Sequence, residues 1–377
     1  MKISVLLPKT SMGGAEKLHF NLLNDWIQQG LDVELVVLLD LPLDEENQEA
    51  FSLLHPDCKV TSFNQKKLRS CVRPLIQYFK SYDGDVILSP MWPLTCLSIF
   101  AWLFSGTKAK LFISEHTNLT ASHEHETNSN LWLLRFSMIL LYRLATGVIT
   151  VSDGVKNDVA NLALLRKSQI DVIYNPVATE LGACSIEKIS EYQKNYWDSA
   201  YSIRILGVGT LKEQKNFSLL IKAFSCLTTE IRDRSQLVIL GDGPSRLALL
   251  SEIESYGLEK QIFLKGNVLD TYPWYASSSL FVLSSSWEGF GNVLVEALEC
   301  GIPIVSTDCK SGPSEILENG KFGTLVPVND HHALKNAIEI VLNLEHDSQI
   351  LKTRAQDFSI KKISREYLNY FSDRIDV

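Results

Sequence analysis

Two glutamates bracket the run Glu288-Gly-Phe-Gly-Asn-Val-Leu-Val-Glu296, eight residues apart. The apolar residues before it predict a buried strand from 280 to 286. Those after it predict a helix from Asn292 to Cys300, closed by Gly301 and Pro303. A strand, a glycine turn and a helix start direct backbone N–H groups and the positive end of the helix dipole at an anion. Gly289 and Gly291 allow the chain to come close to such a ligand. Glu288 falls in the turn and Glu296 in the second helical turn, at most roughly 12 Å further on at about 1.5 Å per residue. Carboxylates repel phosphate, so their natural partners are hydroxyls. An anion with hydroxyl-bearing groups on both sides describes a nucleotide-sugar. The spacing alone suits two surface glutamates or ion-pair partners equally well.

Four further strand-end loops carry glycines. Gly13 and Gly14 precede the first helix. Gly209, Thr210 and Lys215 lie in the run Gly207 to Asn216, where Lys215 offers a cation for a departing diphosphate. Gly241-Asp-Gly-Pro244 follows another strand. Gly266, Asn267 and Val268 offer backbone to a nucleobase. Each loop alone also reads as an ordinary turn, and Lys215 as a solvated lysine. His116 directly follows a strand, in Ser114-Glu-His-Thr-Asn118. That position suits a hydrogen bond to a sugar hydroxyl or phosphate, or a histidine that closes a loop.

The elements that must position these residues alternate. Apolar strands and helices recur from Lys2 to Tyr174 and again from Ile203 onward, predicting two α/β units, each with a parallel sheet covered on both faces. Such units bind ligands at the carboxyl ends of their strands. The expected boundaries are a first domain at 1–180, a linker at 181–199 and a second domain at 200–357. A terminal helix within 358–377 is assigned to the first domain.

Of 377 residues, 45% are hydrophobic and 21% charged, and the net charge is −8. With a pI near 5.6, no basic surplus points to nucleic acid. The seven cysteines form no CxxC pair, which suits reduced thiols in a cytoplasmic protein. The short apolar start ends at Pro8 and reads as a strand rather than a signal peptide. The stretch from Leu131 to Ile149 is long enough to span a bilayer but carries Arg135 and Arg143.

Taken in order, Gly13-Gly-Ala-Glu16, His116, the Gly207–Asn216 loop, Gly241-Asp-Gly-Pro244, Glu288–Glu296 and Ser311-Gly-Pro-Ser-Glu315 resemble the retaining glycosyltransferases of family 4. The resemblance runs from residue 2 to about 371. It implies a GT-B fold: two Rossmann-like domains facing a cleft, with the terminal helix returning to the first. It implies that Glu296 binds the ribose and Glu288 a donor-sugar hydroxyl. Gly291, Asn292 and Val293 would offer backbone near the sugar and phosphates, and Gly13, Gly14 and Lys215 would meet the diphosphate. His116 would touch the transferred sugar. The implied catalytic set is His116, Glu288 and Lys215, with no metal and no cofactor beyond the donor. The family usually has arginine where this chain has Thr210, so one of two expected cations is missing.

The run 113–118 is similar to bacterial members that add hexose or N-acetylhexosamine from UDP-sugars to lipid-linked oligosaccharides, which implies that donor and acceptor class here. In the first domain Lys66, Lys67, Arg69 and Arg73 form a basic cluster near the apolar stretch 92–104. This suggests docking on the inner face of the cytoplasmic membrane, or simply a solvated turn beside a core helix. Two other readings share the architecture: a sugar-nucleotide 2-epimerase, and a non-catalytic nucleotide-sugar-binding subunit.

Overall fold

The computed structural model describes residues 1–9, 14–39, 51–126, 131–179 and 185–375. The chain forms two compact units. One comprises Met1–His123, Asn128–Val177 and Ser359–Val377, and the other Glu124–Thr127 and Ala178–Phe358.

The first unit is built on seven parallel strands: β1 (Lys2–Leu7), β2 (Asp32–Leu39), β3 (Lys59–Gln65), β4 (Val86–Pro90), β5 (Lys110–Glu115), β6 (Gly147–Thr150) and β7 (Asp171–Val172), in the order β3-β2-β1-β4-β5-β6-β7. Its helices are α1 (Gly14–Gln28), α2 (Val72–Ser81), α3 (Leu94–Ser105), α4 (Leu119–Glu126), α5 (Leu131–Leu141) and α6 (Asp153–Ala163). The order reverses beside β1. Right-handed crossovers therefore place α1 on one sheet face and α2, α3, α5 and α6 on the other. The latter pack in sequence, α2 on α3, α3 on α5 and α5 on α6.

Alternation along β1 sends Ile3, Val5 and Leu7 into a core with Phe20, Leu23 and Trp26 of α1 and with Tyr367 and Phe371 near the C-terminus. Gly147 shows how tightly the terminal helix sits. A β-carbon there would stand 2.5 Å from the Tyr370 hydroxyl and 2.9 Å from the Phe112 ring.

The second unit has six parallel strands: β8 (Ile203–Val208), β9 (Ser235–Leu240), β10 (Ile262–Gly266), β11 (Leu280–Leu283), β12 (Ile304–Thr307) and β13 (Thr324–Val326), in the order β10-β9-β8-β11-β12-β13. Its helices are α7 (Ile186–Tyr196), α8 (Phe217–Ser225), α9 (Thr229–Arg232), α10 (Arg246–Ser255), α11 (Tyr272–Ser277), α12 (Asn292–Cys300), α13 (Pro313–Ile316), α14 (His331–Leu342) and α15 (Ser348–Ala355). The terminal α16 (Ile360–Ile375) belongs to the first unit. Phe217, Leu220 and Phe224 of α8 and Leu334 and Ile338 of α14 bury one sheet face through Ile205, Leu237, Ile239, Val282 and Val305. The order reverses again, between β8 and β11.

Three stretches differ from the sequence expectation. The segment 181–199, read as a linker without period, contains α7. Ser185 caps it by accepting from the Lys188 N–H at 3.3 Å. It packs on α11, where Tyr192 meets Tyr272 at 6.4 Å between centroids and Tyr196 meets Trp274 at 5.1 Å. Two tyrosines four residues apart are too sparse for an apolar stripe. The long polar stretch from 115 to 130 contains α4, started by Asn118, whose Oδ1 accepts from Ala121 N at 2.9 Å. The polar helix α15 packs on α12 and had no predicted counterpart.

Candidate active site

In the second unit the predicted residues gather around the carboxyl ends of β8 and β11. After β8 the chain turns through Gly209 and the exposed Thr210 into a 3-10 turn, Glu213–Lys215. Asn216 then takes a left-handed conformation, φ 45°, and its Oδ1 accepts from Leu219 N at 3.3 Å to start α8. This reversal brings Lys215 over Gly209, where a β-carbon would stand 3.1–3.2 Å from the lysine methylenes. Gly241 is needed as closely, since a β-carbon there would lie 2.1 Å from the Gly209 carbonyl oxygen.

Lys215 Nζ reaches Oε1 of Glu288 at 2.6 Å. Both side chains are largely shielded, at 15% and 6% exposed. Ser285 donates to the same Oε1 at 2.6 Å. The strand-end serines also hold the backbone. Ser284 Oγ donates to the Lys215 carbonyl at 2.8 Å, and Ser286 N to the Gln214 carbonyl at 2.8 Å. Gln214 Nε2 donates to the Trp287 carbonyl at 2.9 Å. The lysine and glutamate loops are thus tied at several points besides the ion pair.

Gly291 precedes α12 with φ 102° and supplies no side-chain cap. The half-buried Asn292 and Val293 form the first turn. Phe290, counted with Gly289 among the donor-binding residues that the family resemblance implies, turns its side chain inward. Its ring is buried against Phe358, 5.4 Å between centroids, so only its backbone can face a ligand. Gly289 is buried.

The turn is held from behind by Gly312, where a β-carbon would fall 1.7 Å from the Phe290 carbonyl oxygen. Arg354 holds the next segment, donating to the carbonyls of Ile316 at 2.9 Å and Glu315 at 2.8 Å. Glu296 projects half-buried from α12 beside Tyr275. Burial first, then the Glu296 charge, push the Tyr275 phenol well above its ordinary range. The approach does not meet full hydrogen-bond geometry at the Tyr275 hydroxyl.

Gly266 has φ 82° and open space where a β-carbon would be. Its carbonyl accepts from Gly241 N at 2.7 Å. Asn267 is exposed and Val268 half-buried.

In the first unit His116 directly follows β5. Its Nε2 lies 2.9 Å from Ser114 Oγ. His19 of α1, fully buried, meets the His116 ring edge-on at 5.1 Å between centroids. Burial, then the charge of His19, hold His116 well below the usual imidazole range, against the opposing pull of the nearby Asn175 side chain. Its neighbour Glu115 is fully buried and accepts from Tyr142 Oη, from Thr95 Oγ1 at 3.2 Å and from Trp92 N at 3.2 Å. Burial pushes the Glu115 carboxyl up to about 7. Gly14 opens α1, and Gly13 lies outside the described residues.

Sequence reasoning passed over Ser285, Gln214, Tyr275 and His19. Two signals were present: the serine run 284–286 at a strand end, and a histidine inside the apolar stripe of Leu22, Leu23 and Trp26.

The family model described as Glycosyltransferase Family 4 matches residues 12–181, and that for glycosyl transferases group 1 matches residues 198–358. A Campylobacter jejuni relative, N-acetylgalactosamine-N,N'-diacetylbacillosaminyl-diphospho-undecaprenol 4-alpha-N-acetylgalactosaminyltransferase, is 31% identical over 279 residues, 73% of this chain and 72% of its own. The chain belongs to the family 4 glycosyltransferases.

A second C. jejuni protein resembles this glycosyltransferase at 26% identity over 99% of both chains. It is an alpha-1,4-N-acetyl-D-galactosaminyltransferase acting on a GalNAc-containing diNAcBac-PP-undecaprenol. The Anabaena protein HepE, solved with UDP, superposes with a TM-score of 0.83 at 21% identity, over 99% of this chain and 100% of its own. The fold of the glycosyltransferase is GT-B.

Proposed function

We propose that this glycosyltransferase moves a hexose or N-acetylhexosamine from a UDP-sugar to a polyprenyl-diphosphate-linked oligosaccharide in bacterial surface-glycan synthesis, with retention and without a metal. The observation that carries the reading is the shielded Lys215–Glu288 pair beside the uncapped glycine start of α12. The two C. jejuni relatives act on undecaprenyl-diphosphate glycans by name, and HepE was solved with UDP; these support the acceptor and nucleotide.

In this reading the pair keeps the empty site neutral. An arriving diphosphate competes with Glu288 for Lys215, while Oε2 of Glu288 takes a donor-sugar hydroxyl. Glu296 receives the ribose hydroxyls, and the base lies along Gly266 to Val268. The acceptor oxygen forms its bond to the anomeric carbon on the face from which the phosphate oxygen departs. That departing oxygen takes the acceptor proton. Negative charge then grows on the diphosphate, where Lys215 and the first turn of α12 stabilise it. His116, held neutral, hydrogen-bonds the transferred sugar. The reaction proceeds on a membrane surface, with Lys66, Lys67, Arg69 and Arg73 facing anionic headgroups.

The test is incubation with UDP-N-acetylgalactosamine and UDP-glucose and an undecaprenyl-diphosphate oligosaccharide, with and without EDTA. An alpha-linked product from a UDP-sugar, unaffected by EDTA, is expected. A beta linkage, loss of activity in EDTA, or UDP release with no glycan extension would overturn the reading.

A further inference from the structure

Three glutamates follow β11 as far as the end of α12, and two of them are held by donors. Glu288 takes Lys215 and Ser285 on one oxygen. Glu299, buried in α12, accepts from Thr179 N at 2.7 Å and from Thr179 Oγ1 at 3.2 Å. Glu296 lies one turn before Glu299. It is half-buried and has no ion-pair partner among the described residues. The polar group beside it is the Tyr275 hydroxyl.

Tyr275 stands in α11, which is held from two sides. This short helix packs on both α7 and α12. Just past α7, Trp197 Nε1 donates to Ser277 Oγ at 2.9 Å. The Tyr275 ring is 1% exposed and lies 5.4 Å from the Phe281 ring of β11. Its hydroxyl faces α12, where Glu296 and Cys300, four residues apart, are its titratable neighbours.

Yet the hydroxyl makes no hydrogen bond. A buried phenol in that state weakens the fold, and phenylalanine would fill the same space without the penalty. A ligand gives the hydroxyl a purpose. A nucleotide lying on Glu296 strips water from the carboxylate, and the charge then needs a donor from the protein. A small turn of the half-buried Glu296 side chain brings it to Tyr275.

We propose that Tyr275 is a positioning residue for the nucleotide: its hydroxyl donates to one oxygen of Glu296 on binding and aims the other at the ribose hydroxyls, which makes the site select ribonucleotides over deoxyribonucleotides. The inference rests on the proposed ribose contact of Glu296 and adds the group that orients it. It also gives α7 a task, since α7 supports the helix that carries Tyr275.

Calorimetric titration of UDP and of 2′-deoxy-UDP tests it, on wild type, Tyr275→Phe, Glu296→Ala and the double variant. Melting curves are taken on the ligand-free proteins. Tyr275→Phe should melt at or above wild type, because it removes only an unbonded hydroxyl. It should weaken UDP binding roughly tenfold and 2′-deoxy-UDP binding less, so that the preference for ribose shrinks. In the Glu296→Ala background it should add nothing. A lowered melting temperature with equal loss for both nucleotides assigns the hydroxyl to packing and overturns the inference. An undiminished effect in the Glu296→Ala background does the same. If UDP affinity falls in Glu296→Ala but not in Tyr275→Phe, the ribose contact stands and the role of Tyr275 fails. If neither substitution weakens UDP binding, or wild type binds no UDP, both fail.

Discussion

Lys215 Nζ stands 2.6 Å from Oε1 of Glu288, and the two side chains come from loops 73 residues apart. The sequence offers each as a separate ligand. The fold makes them partners before any ligand arrives, so removing one affects the other.

Lys215→Met leaves the Glu288 carboxylate shielded and unpaired, a change that costs about 3 kcal/mol. It should also lower kcat roughly a hundredfold to a thousandfold by removing leaving-group stabilisation. Lys215→Met/Glu288→Gln should recover most of the stability and none of the rate. Urea unfolding and single-turnover rates on the two variants check both halves. Recovered rate in the double variant would show that Lys215 serves only to neutralise Glu288.

Glu115 and His116 are adjacent and have opposite pH signatures. The folded pKa of Glu115, about 7, lies above its ordinary 4.5. The folded state therefore holds more protons than the unfolded state between these values, and the contribution of Glu115 to stability falls as pH rises through that window. His116 is depressed below 6.5. The unfolded state then binds more protons below that value, and stability is lost as pH falls through it. Glu115→Gln should lift the melting temperature relative to wild type increasingly as pH rises from about 4.5 to about 7 and by a constant amount above that, and His116→Asn should do so increasingly as pH falls below about 6. Parallel melting curves across pH for wild type and both variants would refute the assignments.

Much of this was legible in the sequence because it is local. Alternating apolar strands predict the sheets, and the glycine turn before Asn292 predicts an uncapped helix start. Phe290 could not be read, because its partner Phe358 lies 68 residues away and only the folded unit brings the rings together. The same holds for Ser285, whose neighbours Ser284 and Ser286 look identical in sequence but point to different partners. Helix α7 escaped because two tyrosines and a serine cap, rather than an apolar stripe, hold it in place.

Gly312 supports the turn without touching a ligand. With φ 100° and the Phe290 carbonyl 1.7 Å from any β-carbon, Gly312→Ala must displace the 288–291 turn. Gly320 also has φ 100° but open space around it. Gly320→Ala should cost about 1–2 kcal/mol of backbone strain and leave UDP affinity unchanged. Gly312→Ala should cost more and weaken UDP binding at least tenfold. Equal effects of the two substitutions on denaturation and UDP titration would remove Gly312 from this role.

In the proposed reaction Glu296 holds the ribose of a uridine nucleotide beside the Lys215–Glu288 pair. Calorimetric titration of UDP and of GDP into wild type and Glu296→Ala tests it most directly. UDP should bind more tightly than GDP, and the substitution should weaken UDP binding about tenfold to a hundredfold, the loss of one to two hydrogen bonds to a charged group. Tighter GDP binding, or UDP affinity unchanged in Glu296→Ala, would show that Glu296 does not hold the ribose of a uridine nucleotide.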